Sequence, residues 1–295
     1  MQRKLVKQGA GTLMVSLPSK WTKKHSLSKG DEVSIEETGN DILVSTSGGQ
    51  AKRSTELELT NLAESSIRTL ITSAYRSGYD KIVVRFKEEQ QFQILQEVIK
   101  TRLIGFDITE KQAGFCIVEN ITEPAKEQYS TISHKVFQNI HILFQITKQR
   151  LRGQQAAESY EEVEERIQKY DNFCRRASLK QSDAKTEFLL TFFTLVIHGQ
   201  RELYHLNKLA VKASADTLKL LDSCHELFTM LEAAYTKKDM KVLASVHELE
   251  KKLIYDEGYK ALERAQPKER VIVYHVLAAI RQLYQANSPL TALLA

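Results

Sequence analysis

Residues 7–31, KQGAGTLMVSLPSKWTKKHSLSKGD, constrain this chain more than any other stretch. Gly9-Ala10-Gly11 predicts a tight turn. In the segment after it, Leu13, Val15 and Leu17 share one face, and Thr12, Met14 and Ser16 share the other, the period of a strand. Pro18 stops the strand and suits the first turn of a helix. Ser19 to Lys24 then reads as a helix of one to two turns with lysines outward, and Ser28-Lys29-Gly30-Asp31 turns the chain into another strand. There Val33 and Ile35 alternate with Glu32, Ser34 and Glu36. Gly39-Asn40-Asp41 signals a hairpin, and Ile42-Leu43-Val44 returns. Isolated hairpins are marginal in water, and so few apolar residues cannot close a core. Two copies must share one, and symmetric pairing through interleaved strands does this at low cost. A homodimer is therefore expected.

The charge is uneven. The 295 residues carry a formal net charge of only +5, yet Arg3, Lys4, Lys7, Lys20, Lys23, Lys24 and Lys29 all precede the first acidic residue, Asp31. A single-sign run at one end of a nearly balanced chain is a local field for a polyanion. The three cysteines, Cys116, Cys174 and Cys224, are far apart and form no CxxC or CxxH pair. They read as reduced, buried thiols in a cytoplasmic protein. No signal peptide is expected, because Gln2-Arg3-Lys4 leads into alternating residues. The longest apolar stretch, Phe188 to Ile197, is too short to span a bilayer, so no membrane insertion is expected.

Three domains are expected: 1–46, 55–122 and 123–295, with a flexible linker over 47–54. In the second, Asn61 with Glu64 marks a helix start, and Leu62, Ile67, Leu70, Ile71 and Ala74 form a helical stripe ending at Gly78. KIVVRF, residues 81–86, is a strand. Phe92, Leu95, Val98, Ile99 and Leu103 make a second helix closed by Gly105, and strands follow at 106–109 and 115–118. This is a small α/β module. Helical periodicity then runs almost unbroken. Six helices are expected, over about 129–151, 158–179, 184–213, 218–235, 240–265 and 269–286, with breaks at Gly153, Ser182-Asp183, Ala215-Asp216, Lys237–Asp239 and Pro267. Short loops make them antiparallel neighbours in a bundle. The fold class is thus multidomain α+β.

The segment from Arg3 to Val33, through Leu17-Pro18, the helix before Leu27 and the turn Gly30-Asp31-Glu32-Val33, resembles the SpoVT/AbrB swapped-hairpin domain, especially its archaeal form. The resemblance implies an intertwined dimer that binds double-stranded DNA through Arg3, Lys4, Lys7, Lys20, Lys23 and Lys24. Many bacterial members carry an arginine right after the glycine of the first turn. Here Gly11 is followed by Thr12, which removes one phosphate or base contact. The phrases SAYRSGYDKIVV and LIGFDI, with six helices behind them, resemble the archaeal PhoU-type phosphate uptake regulators with an AbrB-like head. That resemblance implies a role in phosphate homeostasis and a partner such as a phosphate-transport ATPase or a sensor protein.

PhoU bundles carry a repeated Glu-xxx-Asp pattern, whose i,i+4 carboxylates can hold metal clusters. This chain breaks it. Glu164 is followed at i+4 by Gln168, the next counterpart falls at Arg201 and His205, and Glu250 is followed by Ile254. No metal and no cofactor are expected. Glu161, Glu162, Glu164 and Glu165 read as a solvated helix N-terminus favoured by the dipole. His134 with His141, and His198 with His205, lie two turns apart rather than at the i,i+4 spacing of helical zinc ligands. Arg175-Arg176 and Arg201 read as a charged outer face. Trp21 reads as an anchor of the short helix to the dimer core. With no P-loop, no GxSxG and no paired catalytic carboxylates, an enzyme is not expected. The expected protein is a homodimeric DNA-binding transcriptional regulator whose bundle receives a signal. Two alternatives stay open: an adaptor whose head only dimerises, and an antitoxin-like regulator that neutralises a neighbour-encoded toxin.

Overall fold

The computed structural model describes residues 2–9, 11–38, 41–46, 52–60, 63–122, 128–180, 184–209 and 212–295. The chain divides into two compact units, Met1–Lys52 and Arg53–Ala295. The hairpin turn at Gly39-Asn40, most of the expected linker (47–51), the helix-start residue Asn61 and the break at Ser182-Asp183 lie outside the described residues.

The first unit contains two separate two-stranded sheets. β1 (Val6–Gln8) pairs antiparallel with β2 (Thr12–Met14), with Lys7 opposite Leu13. Gly9 sits between them at φ +69, a conformation that costs a side-chain-bearing residue. The second strand ends at Met14, earlier than the alternation through Leu17 predicts. α1 (Ser19–Lys24) follows Pro18, whose carbonyl accepts from the Trp21 and Thr22 amides at 2.9 and 3.0 Å. Lys23 and Lys24 fall in its last turn, where the helix dipole favours cations. The next turn is locked reciprocally. Asp31 Oδ2 accepts from the Ser28 amide at 2.7 Å, and the Asp31 amide donates to the Ser28 carbonyl at 3.2 Å. β3 (Val33–Thr38) and β4 (Asp41–Thr46) then pair antiparallel, with Ile35 opposite Val44.

The second unit opens on a strand that the sequence pattern does not predict. β5 (Ser54–Glu58) pairs parallel with β6 (Lys81–Arg85) and forms one edge of a four-stranded sheet. The order is β5-β6-β8-β7, where β7 is Phe106–Gln112 and β8 is Phe115–Asn120. S-T-E-L-E has only one large apolar residue, so its periodicity is that of an exposed edge. α2 (Glu64–Arg76) and α3 (Glu89–Arg102) cover the sheet. Their Ile67, Ile71, Tyr75, Leu95, Val98 and Ile99 meet Ile82, Val84, Cys116 and Val118 in one core. At Gly105, φ is +76 and an added Cβ would lie 1.8 Å from the Thr122 carbonyl oxygen, so only glycine fits.

The helices follow as α4 (Gln128–Leu151), α5 (Tyr160–Lys180), α6 (Thr186–Asn207), α7 (Ala215–Lys237), α8 (Lys241–Lys251), a π-helical segment (Lys252–Gly258), α9 (Tyr259–Arg264), α10 (Pro267–Gln285) and α11 (Asn287–Leu294). The fifth expected helix is therefore α8, the π segment and α9 in succession. α11 extends the set beyond the six expected. Its Pro289 and the turn at Ala286 hid it, although proline suits a helix's first turn. α4 packs on α5 and α6 on α10, around Phe137, Phe192, Phe193, Phe228 and Ile280. Gly199 lets α6 approach Leu283 of α10, where an added Cβ would lie 3.0 Å from Leu283 Cγ. No helix among the described residues is long and apolar enough to cross a membrane.

Polar side chains join the sheet module to the helices. Arg176 of α5 is 1% exposed, not on an outer face. It donates to Asp80 Oδ1 at 2.6 Å and to the carbonyls of Tyr75 and Tyr79 at 3.0 and 2.8 Å, with its guanidinium over the rings of Tyr75 and Phe106. Lys180 also donates to Asp80, at 2.7 Å. Asn172 donates to the Arg102 carbonyl at 2.9 Å. Lys169 donates to the Lys100 carbonyl at 2.8 Å. These contacts make the α/β module and the helices a single compact unit.

Candidate functional site

The first candidate is the surface of the N-terminal unit. Arg3, Lys4, Lys7, Lys20, Lys23 and Lys24 are all exposed, as is Lys29. None makes an ion pair with an acidic side chain among the described residues. The apolar side chains of this unit are exposed too. Leu5 is 64% exposed, Leu13 63%, Ile35 63% and Ile42 67%, values normal for charged residues rather than for strand interiors. No residue of 2–46 whose burial is described is buried. Trp21 is half-buried and tilted against His25, ring centroids 5.0 Å apart. The strand pairs thus leave their apolar faces open beside a short lysine-bearing helix. Residues 6–52 match the model of the MazE family, described as antidote-toxin recognition MazE, bacterial antitoxin. The match ends where the first unit ends, well short of half the chain. No curated protein and no solved structure matches the chain. The match supports the SpoVT/AbrB-type reading of this MazE-like unit.

The second unit holds polar clusters of a different kind. His141 Nε2 lies 2.6 Å from Glu232 Oε2, and His141 Nδ1 lies 2.6 Å from His225 Nε2. With Glu232 ionised, the network assigns a proton to His141 Nε2, which donates to the carboxylate. His225 Nε2 then donates to His141 Nδ1. The His225 ring stacks on Phe144 at 4.4 Å. Burial pushes its pKa down to about 4, with His141 adding to the shift. Spacing along α4 pairs His141 with His134. Its partners come from α7, across the bundle. No trio of His, Cys, Asp or Glu side chains placed to hold a metal occurs among the described residues. The three cysteines are buried and unpaired, and burial pushes the Cys116 thiol up to about 11.

The acidic start of α5 is not uniformly solvated. Glu161 and Glu162 are exposed, but Glu164 is buried and accepts from Arg102 Nη1 at 3.3 Å. Arg102 also pairs with Glu165 at 3.7 Å. Glu164, Gln168 and Arg201, all noted in the sequence for breaking an acidic spacing, line one cavity between α2, α3, α5 and α6. Arg201 lies 33 residues beyond Gln168, a separation that periodicity along one helix does not bridge.

Proposed function

We propose that this protein is a homodimeric, DNA-binding transcriptional regulator. One observation carries the reading: the MazE-like unit combines an unclosed apolar interior with basic side chains that no acidic residue neutralises among the described residues. Pairing two such units covers the apolar faces and brings two α1 helices into one assembly, which multiplies the positive field. Such a surface grips DNA mainly through its phosphates, on a site with approximate two-fold symmetry. Arg3, Lys4, Lys7, Lys20, Lys23 and Lys24 are the contacts in this reading. The bundle receives the signal. Its link to phosphate uptake, and a phosphate-transport ATPase or sensor protein as partner, rest on the resemblance of the middle and helical segments to PhoU-type regulators. The protein is not an enzyme in this reading and works in the cytoplasm.

The test is DNA binding across a salt series. Wild type is expected to bind fragments with affinity falling steeply as salt rises. The double variant Lys23→Glu/Lys24→Glu is expected to lose at least about a hundredfold at low salt, from four reversed charges per dimer, while remaining dimeric in sedimentation. Undetectable wild-type binding at low salt would sink the reading. The family description itself favours a second one, in which the head engages a protein. That predicts co-purification with a partner and indifference to the charge reversal.

A further inference from the structure

α2, α3, α5 and α6 line a cavity of about 270 Å³ that opens to solvent. Arg68, Arg76, Arg102 and Arg201 line it, against a single lining carboxylate, Glu164. The guanidiniums are incompletely used. Each offers five N–H donors. Arg201 makes no hydrogen bond or ion pair among the described residues. Arg76 donates through Nε to Asn172 at 2.7 Å, and its Nη2 reaches Asp171 only at 3.5 Å. Arg102 has its carboxylate partners at 3.3 and 3.7 Å. Gln168 adds a second kind of signal. Its Nε2 is shielded from solvent and has no hydrogen-bond partner among the described residues. A buried amide donor left unmade costs free energy, and it lies in the same wall.

Arg68 donates to Glu64 through Nη1 alone, at 2.7 and 2.6 Å, and its other nitrogens make no hydrogen bond among the described residues. Burial pushes the Arg76 pKa below its ordinary value. Asp171 opposes this, and Arg175 and Arg201 push it further down. Cations held this close, with donors to spare, suit an anion with several acceptor oxygens. We propose that this cavity binds a phosphate group, either inorganic phosphate or the phosphoryl end of a small metabolite. Glu164 supplies the selectivity. Phosphate can carry a proton at neutral pH and donate it to that carboxylate, whereas sulfate has no proton to offer. The walls come from both the sheet module and the bundle, so occupancy ties α2 and α3 to α5 and α6. A wider cleft of about 630 Å³ adjoins the cavity, sharing Arg68, Arg102 and Glu164 and bordered further out by Glu64, Glu97 and Glu161. It gives the rest of a metabolite a place to lie. The site stands on the cavity alone, and its assay contains no DNA, so its outcome and that of the DNA reading are separable.

The experiment is calorimetric titration of the full-length protein with inorganic phosphate, glycerol 3-phosphate and sulfate. Saturable phosphate or glycerol 3-phosphate binding is expected, with sulfate weaker by at least about tenfold. Arg201→Gln, at an exposed side chain, and Arg68→Gln, at a half-buried one paired with Glu64 on the same helix, should each weaken binding by about tenfold or more with the melting temperature retained. Arg201→Lys should recover part of the loss, and Lys268→Gln, at an exposed side chain outside the lining of both cavities, should change nothing. Glycerol 3-phosphate binding more than about tenfold tighter than phosphate supports the site and identifies an organic phosphate. Similar or weaker binding supports it and identifies free phosphate. Absence of saturable binding of both up to about 10 mM overturns the proposal. So does wild-type affinity in both arginine variants, or sulfate bound as tightly as phosphate.

Discussion

At the scale of single residues, His225 is the group whose protonation the fold resists most visibly. It stacks on Phe144, hydrogen-bonds to His141, and has its pKa pushed down to about 4 by burial first and by His141 next. A histidine in the unfolded chain titrates near 6.5. Between those values the unfolded state binds more protons, so stability rises with pH across the window. It is fully present above about 6.5 and lost progressively toward 4. Urea unfolding at pH 5 and pH 7 is expected to show wild type weaker at pH 5, and His225→Gln to show a smaller difference. Equal pH dependence in the two proteins would remove His225 as the cause. Spacing along α4 could expose a histidine at 141, but only the packing of α7 on α4 supplies Glu232 and His225.

At the scale of elements, α5 is the helix that holds the second unit together. Its apolar stripe, Val163, Ile167 and Cys174, was readable from periodicity alone and enters the core. Its other side was not readable. Arg176 and Asn172 look like ordinary polar positions on a surface helix, and they are 1% exposed because the α/β module sits on them. Asp80 stays ionised there. Burial works against the charged form, but Lys180 and the Arg53 amide, with the Arg176 charge, more than offset it and lower its pKa. Replacing Arg176 by Met removes the guanidinium and leaves Asp80 with Lys180 as its cationic partner among the described residues. The cost expected is about 3–5 kcal/mol, the range for breaking a buried ion pair. The urea midpoint measures it. A loss below about 0.5 kcal/mol, typical of a surface substitution, would mean the junction contributes little.

At the scale of the whole molecule, the two units differ in how they are stabilised. Residues 53–295 own two hydrophobic clusters, around Tyr75 and around Phe137. Residues 1–52 own none among the described residues, and leave Leu5, Leu13, Ile35 and Ile42 exposed. A chain cut to residues 53–295 is therefore expected to melt at a temperature independent of its concentration. A fragment of residues 1–52 should melt higher as concentration rises, because its folded form needs a second copy. Thermal melts at two concentrations differing about a hundredfold check both. A shift of several degrees in the larger piece, or none in the smaller, would contradict this division. The deficit behind it was already legible, since a count of apolar residues in the first forty-odd positions falls short of a core.

Local order was settled by the sequence itself. The glycine turns, Leu17-Pro18, the short basic helix and the long amphipathic helices follow from backbone sterics and from periods of 2 and 3.6, which act within a few residues. The charge asymmetry of the first thirty residues is likewise covalent fact. Tertiary structure decided what lies opposite what. It paired β5 with β6 despite a weak strand pattern, and it buried Arg176 against Asp80. It also brought Arg68, Arg76, Arg102 and Arg201 around one space. Such convergence depends on contacts between segments far apart in the chain, where neither propensity nor periodicity reaches.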